Sequence, residues 1–226
     1  MDHRLASGEA RLAVTLAAPL ESLIAPGMQV RFGPVVDGWD LPEMDRVALR
    51  RHGLPKGPLT EPAPQTEAEP TLVPNVAGET EHRLVAPEKR LYALGRWGVT
   101  DFTPMVGAVA GSGRVLGIRP APITPDDYPA VLRDYYEPAS LARPAVTFIS
   151  SSVAQYVEVS WRWHAATQLF MTLEEPPPGL PFDEAWQYHL REQQLRMFIL
   201  AGLAAIDPAI GDDSWGSLWA SNILEP

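Results

Sequence analysis

The sequence predicts an α+β fold with a largely antiparallel or mixed central sheet flanked by helices and a helical C-terminal third. Three observations support this fold class. Candidate strands cluster in the middle of the chain, a glycine-containing turn joins two of them, and two long helical segments follow them instead of alternating with them. Because parallel strands need a crossover connection, usually a helix, this segregation favours α+β over alternating α/β.

The length and composition fit one globular domain. The 226 residues are 46% hydrophobic and 20% charged, which is typical of a chain that buries a core. We assign residues 28–226 to a single α+β domain and residues 1–27 to an N-terminal extension. Two interpretations of the extension stay open, because residues 12–16 alternate as in a strand whereas residues 16–24 have helical spacing.

The domain is predicted to begin with a short strand and a helix. Residues 28–32 alternate enough for a strand. Asp40 with Glu43 three residues later is typical of a helix start, and Gly53 of a helix end. The apolar face of this helix is predicted to hold Leu41, Met44, Ala48 and Leu49.

A proline-rich connection follows at about residues 55–87. Its prolines leave little room for a continuous helix. We therefore predict an extended, partly mobile segment with short strands near Leu72–Val73 and Arg83–Val85.

The next segment reads as a group of strands. We predict strands at residues 91–94, 104–110 and 114–119, the last two joined by a hairpin turn at Gly111-Ser112-Gly113. A dinucleotide-binding loop is the alternative, but it needs a helix opening at the glycines, and Pro120 stands where that helix would continue.

The C-terminal third is predicted to be one strand and three helices. Residues 145–149 form the strand, and Ser152 with Gln155 is a capping pattern for a helix that runs to about Leu173. A second long helix is predicted from about Asp183 to Ala205, and a short last helix contains Trp215, Leu218 and Trp219.

Candidate catalytic groups are few. The absence of cysteine excludes disulfides and thiolate metal sites. Ser150–Ser152 follow a strand but lack the glycines of a nucleophile elbow, so capping is the favoured role. His164 and His189 could approach each other if the long helices pair, although packed or solvated histidines are the simpler interpretation. We therefore predict a protein that is not an enzyme, with no catalytic residue, no metal and no cofactor.

Charge is distributed unevenly along the chain. The net charge is −10 overall, and residues 146–226 carry ten acids against three bases. This balance argues against direct binding of nucleic acid, whose phosphates need a basic face. It suits a basic protein partner, although acidity that serves only solubility is an equal alternative.

The sequence shows no export or membrane signal. Residues 1–24 carry Asp2 and Glu9 where a signal peptide needs positive charge. No uninterrupted run of about 18 apolar residues occurs. We therefore expect a cytoplasmic protein without a membrane partner.

Four short segments, in this order, are similar to a known family. They are Arg50-Arg51-His52-Gly53-Leu54-Pro55; Leu91-Tyr92-Ala93-Leu94-Gly95 with the hairpin through Val115; Thr147-Phe148-Ile149-Ser150-Ser151-Ser152-Val153; and Ala204-Ala205-Ile206-Asp207-Pro208 with the tryptophan-bearing end. Together they resemble the SUKH superfamily of bacterial immunity proteins, in particular its fourth branch, common in actinobacteria. The chain departs from the family pattern at Ser150, where an asparagine is frequent.

The resemblance implies a non-enzymatic protein that binds and neutralises a co-produced toxin, often one that attacks nucleic acid. The acidic C-terminal third fits a basic toxin domain independently. Trp161 and Trp163 cannot share a helix face, so one can be core and the other a binding anchor, or both can be buried. The predicted contacts are Glu158, Trp163, Glu174, Glu175, Asp183, Glu184, Asp212 and Asp213.

Two other classes of function remain as alternatives. One is a scaffold or regulatory interaction module of the same fold that is not linked to a toxin. The other is an enzyme that uses His164 or His189 beside a carboxylate in a helix-lined pocket. The sequence indicates neither the partner nor the oligomeric state.

Overall fold

The central element is a five-stranded antiparallel sheet whose strands pair in chain order. The computed structural model describes residues 3–57, 60–98, 103–172, 179–212 and 216–224. A separate antiparallel pair precedes the sheet in the chain. The pair is β1 (Gln29–Val30) and β2 (Leu54–Pro55), and the sheet contains β3 (Thr60–Pro62), β4 (Leu91–Trp97), β5 (Met105–Val109), β6 (Val115–Ile118) and β7 (Val146–Ser150). The predicted α+β fold is confirmed.

Helices surround the sheet and make up most of the C-terminal third. In chain order they are α1 (His3–Ala17), α2 (Leu20–Leu23), α3 (Glu43–Arg51), α4 (Glu79–Leu84), α5 (Ala130–Tyr135), α6 (Pro138–Leu141), α7 (Val153–Phe170), α8 (Phe182–Ala204) and α9 (Leu218–Leu224). Residues 12–16 therefore lie in a helix and not in a strand. Leu12 is only 1% exposed, and α1 packs against α7 and α8, so the N-terminal segment contributes to the core.

The sheet is covered on both faces. Successive side chains of a strand point to opposite sides, and β6 shows this with Val115 in the larger hydrophobic cluster and Leu116 in the smaller one. The larger cluster lies against the helical part, including α3, α7 and α9. The smaller cluster is closed by α4 and by Leu72 and Val76 from the proline-rich connection.

Helix α7 lies at the centre of the helical layer. It contacts α1, α2, α3, α8 and the strands β2 and β7, and nine of its eighteen residues are buried. Ser152 accepts a hydrogen bond from the Gln155 backbone N–H at 3.2 Å, which confirms the predicted cap. A helix surrounded on several sides has no single apolar stripe, which is why its core role is hard to see in the sequence.

The hairpin between β5 and β6 forms as predicted. Gly111 and Gly113 have φ values of 88° and 71°, a backbone conformation that L side chains rarely adopt. The turn is closed by the Gly113 N–H, which donates to the Val109 carbonyl at 2.9 Å. The dinucleotide-loop alternative is therefore excluded, because a strand, β6, follows the glycines.

Two predictions for the first helix of the domain are wrong. Helix α3 has Pro42 at its N-cap, and the Asp40 side chain makes no cap. Asp40 instead donates its backbone N–H to the Tyr92 hydroxyl at 2.8 Å, a contact from a distant strand. Met44 is 71% exposed, whereas Ala48 and Leu49 are buried as predicted.

The proline-rich connection contains more structure than predicted. The strand predicted near Arg83–Val85 is replaced by α4, and Leu72 forms a single bridge with Leu91. The Glu81 carboxylate explains the helix: it accepts the Gly78 N–H at 3.1 Å and, 64 residues away, the Ala145 N–H at 3.1 Å. The Gly78 contact is a local capping pattern, three residues apart, whereas the contact with Ala145 cannot be seen in a local pattern.

The last predicted helix is found at Leu218–Leu224. Trp219 in it is fully buried, and its ring lies 4.6 Å from that of Trp97. Trp215 and Leu173, which the sequence assigned to helices, lie outside the described residues.

Candidate partner-binding surface

Three of the ten acids in residues 146–226 form ion pairs or hydrogen bonds with other residues of the chain. Glu158 pairs with Arg162 at 2.7 Å, and Glu192 pairs with Arg196 at 2.6 Å. Asp207 is fully buried. The two ion pairs occupy two of the three bases of this region, so its excess negative charge resides on the eight acids outside these pairs, Asp207 among them.

Glu158, a predicted contact, forms part of a clamp between α7 and the α1–α2 connection. The Arg162 guanidinium, 10% exposed, donates to the Glu158 carboxylate, to the Ala18 carbonyl at 3.0 Å and to the Leu16 carbonyl. Glu158 therefore positions Arg162, and it has less freedom to meet a partner than an unpaired acid.

Asp207 connects the end of α8 to the start of α7. Its carboxylate accepts hydrogen bonds from Ser150 Oγ at 2.6 Å, Ser151 N at 2.7 Å and Ser151 Oγ at 2.7 Å. It also accepts from the Ala209 N–H at 3.3 Å, capping the turn that follows. Ser150 and Ser151 thus serve as hydrogen-bond donors in a structural network, and Ser150 is fully buried.

The predicted contacts Asp183 and Glu184 are exposed in the first turn of α8. Asp212 is also exposed, after the single turn that follows α8. The other predicted acids, Glu174, Glu175 and Asp213, lie outside the described residues. Acids in the first turn of a helix are stabilised by its backbone dipole.

Aromatic side chains accompany the acids at this end of α8. Phe182 is 78% exposed and Trp186 is 47% exposed, and their rings stack at 6.2 Å. The Trp186 ring lies 5.1 Å from that of His189. Neither Phe182 nor Trp186 was predicted as a contact, although their spacing of four residues places them on one helix face.

The two tryptophans of α7 are both packed, to different degrees. Trp161 is fully buried and donates its indole N–H to the carbonyls of His52 and Gly53. Trp163 is half-buried, with its ring 6.2 Å from that of Trp219. Trp163 therefore presents only part of its surface to a partner.

The candidate histidines have different surroundings. His164 is 9% exposed and lies edge-on to Trp161 at 5.7 Å, and burial lowers its pKa from the ordinary value of 6.5. His189 lies on the exposed part of α8 beside Trp186. Within the part of the chain that the structure describes, no three His, Asp or Glu side chains are grouped as metal ligands.

Acidification is expected to destabilise the protein through His164. Because the folded-state pKa lies below the unfolded value, the unfolded chain binds the proton first, and the free energy of unfolding falls as pH drops below about 6.5. Burial also lowers the pKa of His52, so we expect His164→Gln to reduce the slope of unfolding free energy against pH without abolishing it. Urea unfolding at several pH values measures this slope, and His189→Gln, at an exposed histidine, is the control. An unchanged slope in His164→Gln contradicts the prediction.

Among the described residues, no helix is long and apolar enough to cross a membrane.

Comparison with known families identifies the chain. The family described as SUKH-4 immunity protein matches residues 15–224. The match covers most of the 226 residues, so the chain belongs to this family and to the SUKH superfamily. No curated protein and no solved structure matches the chain significantly.

Family membership suggests a toxin-neutralising immunity function. It implies a protein toxin as the partner. Proteins of this family are generally non-catalytic. The fold and the family therefore define the class of protein, and the surface described above is a candidate for the contact.

Proposed function

We propose that this protein neutralises a co-produced toxin in the cytoplasm by binding its basic, nucleic-acid-binding face with the acidic surface of the C-terminal third. The observation that carries the proposal is the match of residues 15–224 to an immunity family. A toxin that attacks nucleic acid needs a cationic groove for phosphates. An anionic protein surface placed over such a groove competes with the substrate and accelerates its own association.

The distribution of charge supports the acidic surface. Asp183 and Glu184 are exposed and adjacent in the first turn of α8. Glu158 and Glu192 are each paired with an arginine of their own helix, so each pair contributes little net charge to a partner. The proposed surface therefore centres on the start of α8, with Asp212, Glu174, Glu175 and Asp213 as further proposed contacts.

A pull-down from the native host tests the proposal, with this protein as bait and mass spectrometry as the readout at low and high salt. The expected result is a basic nuclease- or deaminase-like domain whose recovery falls at high salt, because salt screens exposed charges. Growth of cells that express the recovered domain must then be restored by this protein. Recovery of only a structural or metabolic complex contradicts toxin neutralisation and favours a scaffold.

A further inference from the structure

Helix α8 carries an exposed apolar stripe that the core does not use. Phe182, Trp186, Leu190 and Met197 are 78%, 47%, 39% and 54% exposed. Their spacing of four, four and seven residues places them on one face of the helix. At 1.5 Å per residue, the stripe is about 22 Å long. We call these four residues the α8 stripe.

A second apolar face of α8 explains why the helix is held in place without the stripe. Leu195, Ile199 and Leu203 on that face are buried in the larger hydrophobic cluster. Arg196 also fixes the helix, because it donates to the Ile223 carbonyl at 3.0 Å and lies 5.3 Å above the Phe170 ring. The α8 stripe is therefore not needed for packing within the described part of the chain, which is typical of an interaction surface.

A groove runs beside the C-terminal part of the stripe. It has a volume of about 630 Å³ and is lined by Leu190, Met197 and Phe198 together with Gln193, Gln194 and Glu9 of α1. The lining of the groove is mostly apolar, and it includes the two amide side chains. It can accept apolar side chains of a partner while the amides satisfy polar groups at the edge.

We propose that the α8 stripe and this groove form the apolar centre of the toxin interface, with Asp183 and Glu184 as its acidic edge. This inference rests on the proposed function and locates its contact. A protein interface usually has apolar and aromatic anchors at its centre and charged residues at its edge. The occupant is a basic surface of the toxin that also presents apolar side chains.

Charge favours this occupant over a second copy of the chain. In an antiparallel pair of α8 helices, Asp183 and Glu184 of one copy would meet the Met197 end of the other. Arg196 near that end is paired with Glu192, and Arg191 lies over the Tyr188 ring at 5.3 Å, where it keeps its charge. Among the bases of α8, a second copy therefore offers one arginine, Arg191, to two acids, which compensates only part of their charge.

Charge also disfavours a membrane as the occupant. Helices that lie on anionic lipid carry Lys and Arg beside their apolar face. Helix α8 has Asp183, Glu184 and Glu192 against Arg191 and Arg196. An acidic helix start repels such a surface.

Two matched pairs of variants test the proposal against the toxin domain recovered by the pull-down. Trp186→Ala is paired with Tyr135→Ala on α5, where Tyr135 is 83% exposed, and Met197→Asp is paired with Met44→Asp on α3. Isothermal titration calorimetry measures Kd, and circular dichroism verifies that each variant is folded. We expect Trp186→Ala and Met197→Asp to raise Kd by about 30-fold or more, as at interface hot spots, and both controls to leave it within about threefold.

The binding measurements distinguish an error in the location of the interface from an error in the proposed function. If wild-type protein binds the toxin and the stripe variants bind equally well, the proposed function stands and the location of the interface is wrong. If wild-type protein does not bind, the proposed function itself fails. Sedimentation velocity of the protein alone tests the other occupant: a dimer that Met197→Asp dissociates would assign the stripe to self-association and overturn the proposal.

Discussion

Replacing Asp207 by alanine is expected to lower the free energy of unfolding by about 3–5 kcal/mol. The carboxylate accepts from Ser150 Oγ, Ser151 N and Ser151 Oγ at 2.6–2.7 Å, and Ser150 is fully buried. Removal of the carboxylate leaves the Ser150 hydroxyl without its acceptor. It also removes three of the hydrogen bonds between the turn after α8 and the start of α7, and leaves the one from the Gln155 side-chain amide to the Ile206 carbonyl at 2.9 Å. Urea unfolding gives the difference.

Asp207→Asn removes the negative charge of the side chain and keeps nearly the same shape. The amide keeps one acceptor oxygen but places an NH₂ group where donors point, so its cost is expected to lie between zero and that of Asp207→Ala. The conservative pair also distinguishes a hydrogen-bond effect from a cavity. If Asp207→Ala costs less than about 1 kcal/mol, the network is not a major source of stability.

Gly113→Ala is expected to destabilise the protein by about 3 kcal/mol or more. An added Cβ would overlap with Asp45 Oδ2 and lie 3.3 Å from Pro42 Cδ, at a φ of 71°. The carboxylate cannot turn aside at low cost, because its Oδ1 accepts the Ala154 N–H at the start of α7 at 2.8 Å. Asp45 is also 2% exposed, and burial raises its pKa despite the hydrogen bonds from Ala154 and Val153.

Gly111→Ala in the same turn is the matched control. Its φ of 88° imposes a similar backbone strain, but the nearest atom to an added Cβ, Asp40 Oδ2, is at 3.6 Å, an ordinary contact. Its expected cost is therefore about 1–2 kcal/mol, the strain of a left-handed alanine. Equal losses in both variants, measured by urea unfolding, would show that the contact with Asp45 adds nothing.

The sequence was sufficient where local chemistry decides the structure. The glycines of the β5–β6 turn, the Ser152 cap and the long C-terminal helices were predicted because each depends on residues within a few positions. The role of Asp40 was predicted wrongly because its partner, Tyr92, is distant in sequence. The Arg83–Val85 segment was predicted wrongly because Leu84 and Val85 pack into the smaller hydrophobic cluster, most of whose other members are also distant in sequence. Tertiary contacts override local patterns at such positions.

The candidate partner-binding surface also combines features that depend on residues close in the sequence with features that depend on distant ones. Glu158 was predicted as a partner contact, and its pairing with Arg162 was not predicted, although a spacing of four residues is typical of an ion pair on a helix. The network of Asp207 was not visible, because 57 residues separate it from Ser150. The α8 stripe was also missed, since the sequence does not show which of two apolar helix faces the core covers.

A growth-rescue assay tests the central claim, that this protein neutralises a toxin through its acidic surface, most directly. The recovered toxin domain is co-expressed with wild-type protein, with Asp183→Lys/Glu184→Lys, or with Glu67→Lys/Glu69→Lys. The last variant changes the net charge equally at two exposed acids elsewhere. We expect wild-type protein and the Glu67/Glu69 variant to restore growth, and the Asp183/Glu184 variant to restore it by at most about one tenth of the wild-type effect. Failure of wild-type protein to protect would contradict toxin neutralisation, and equal protection by both double variants would contradict the acidic surface.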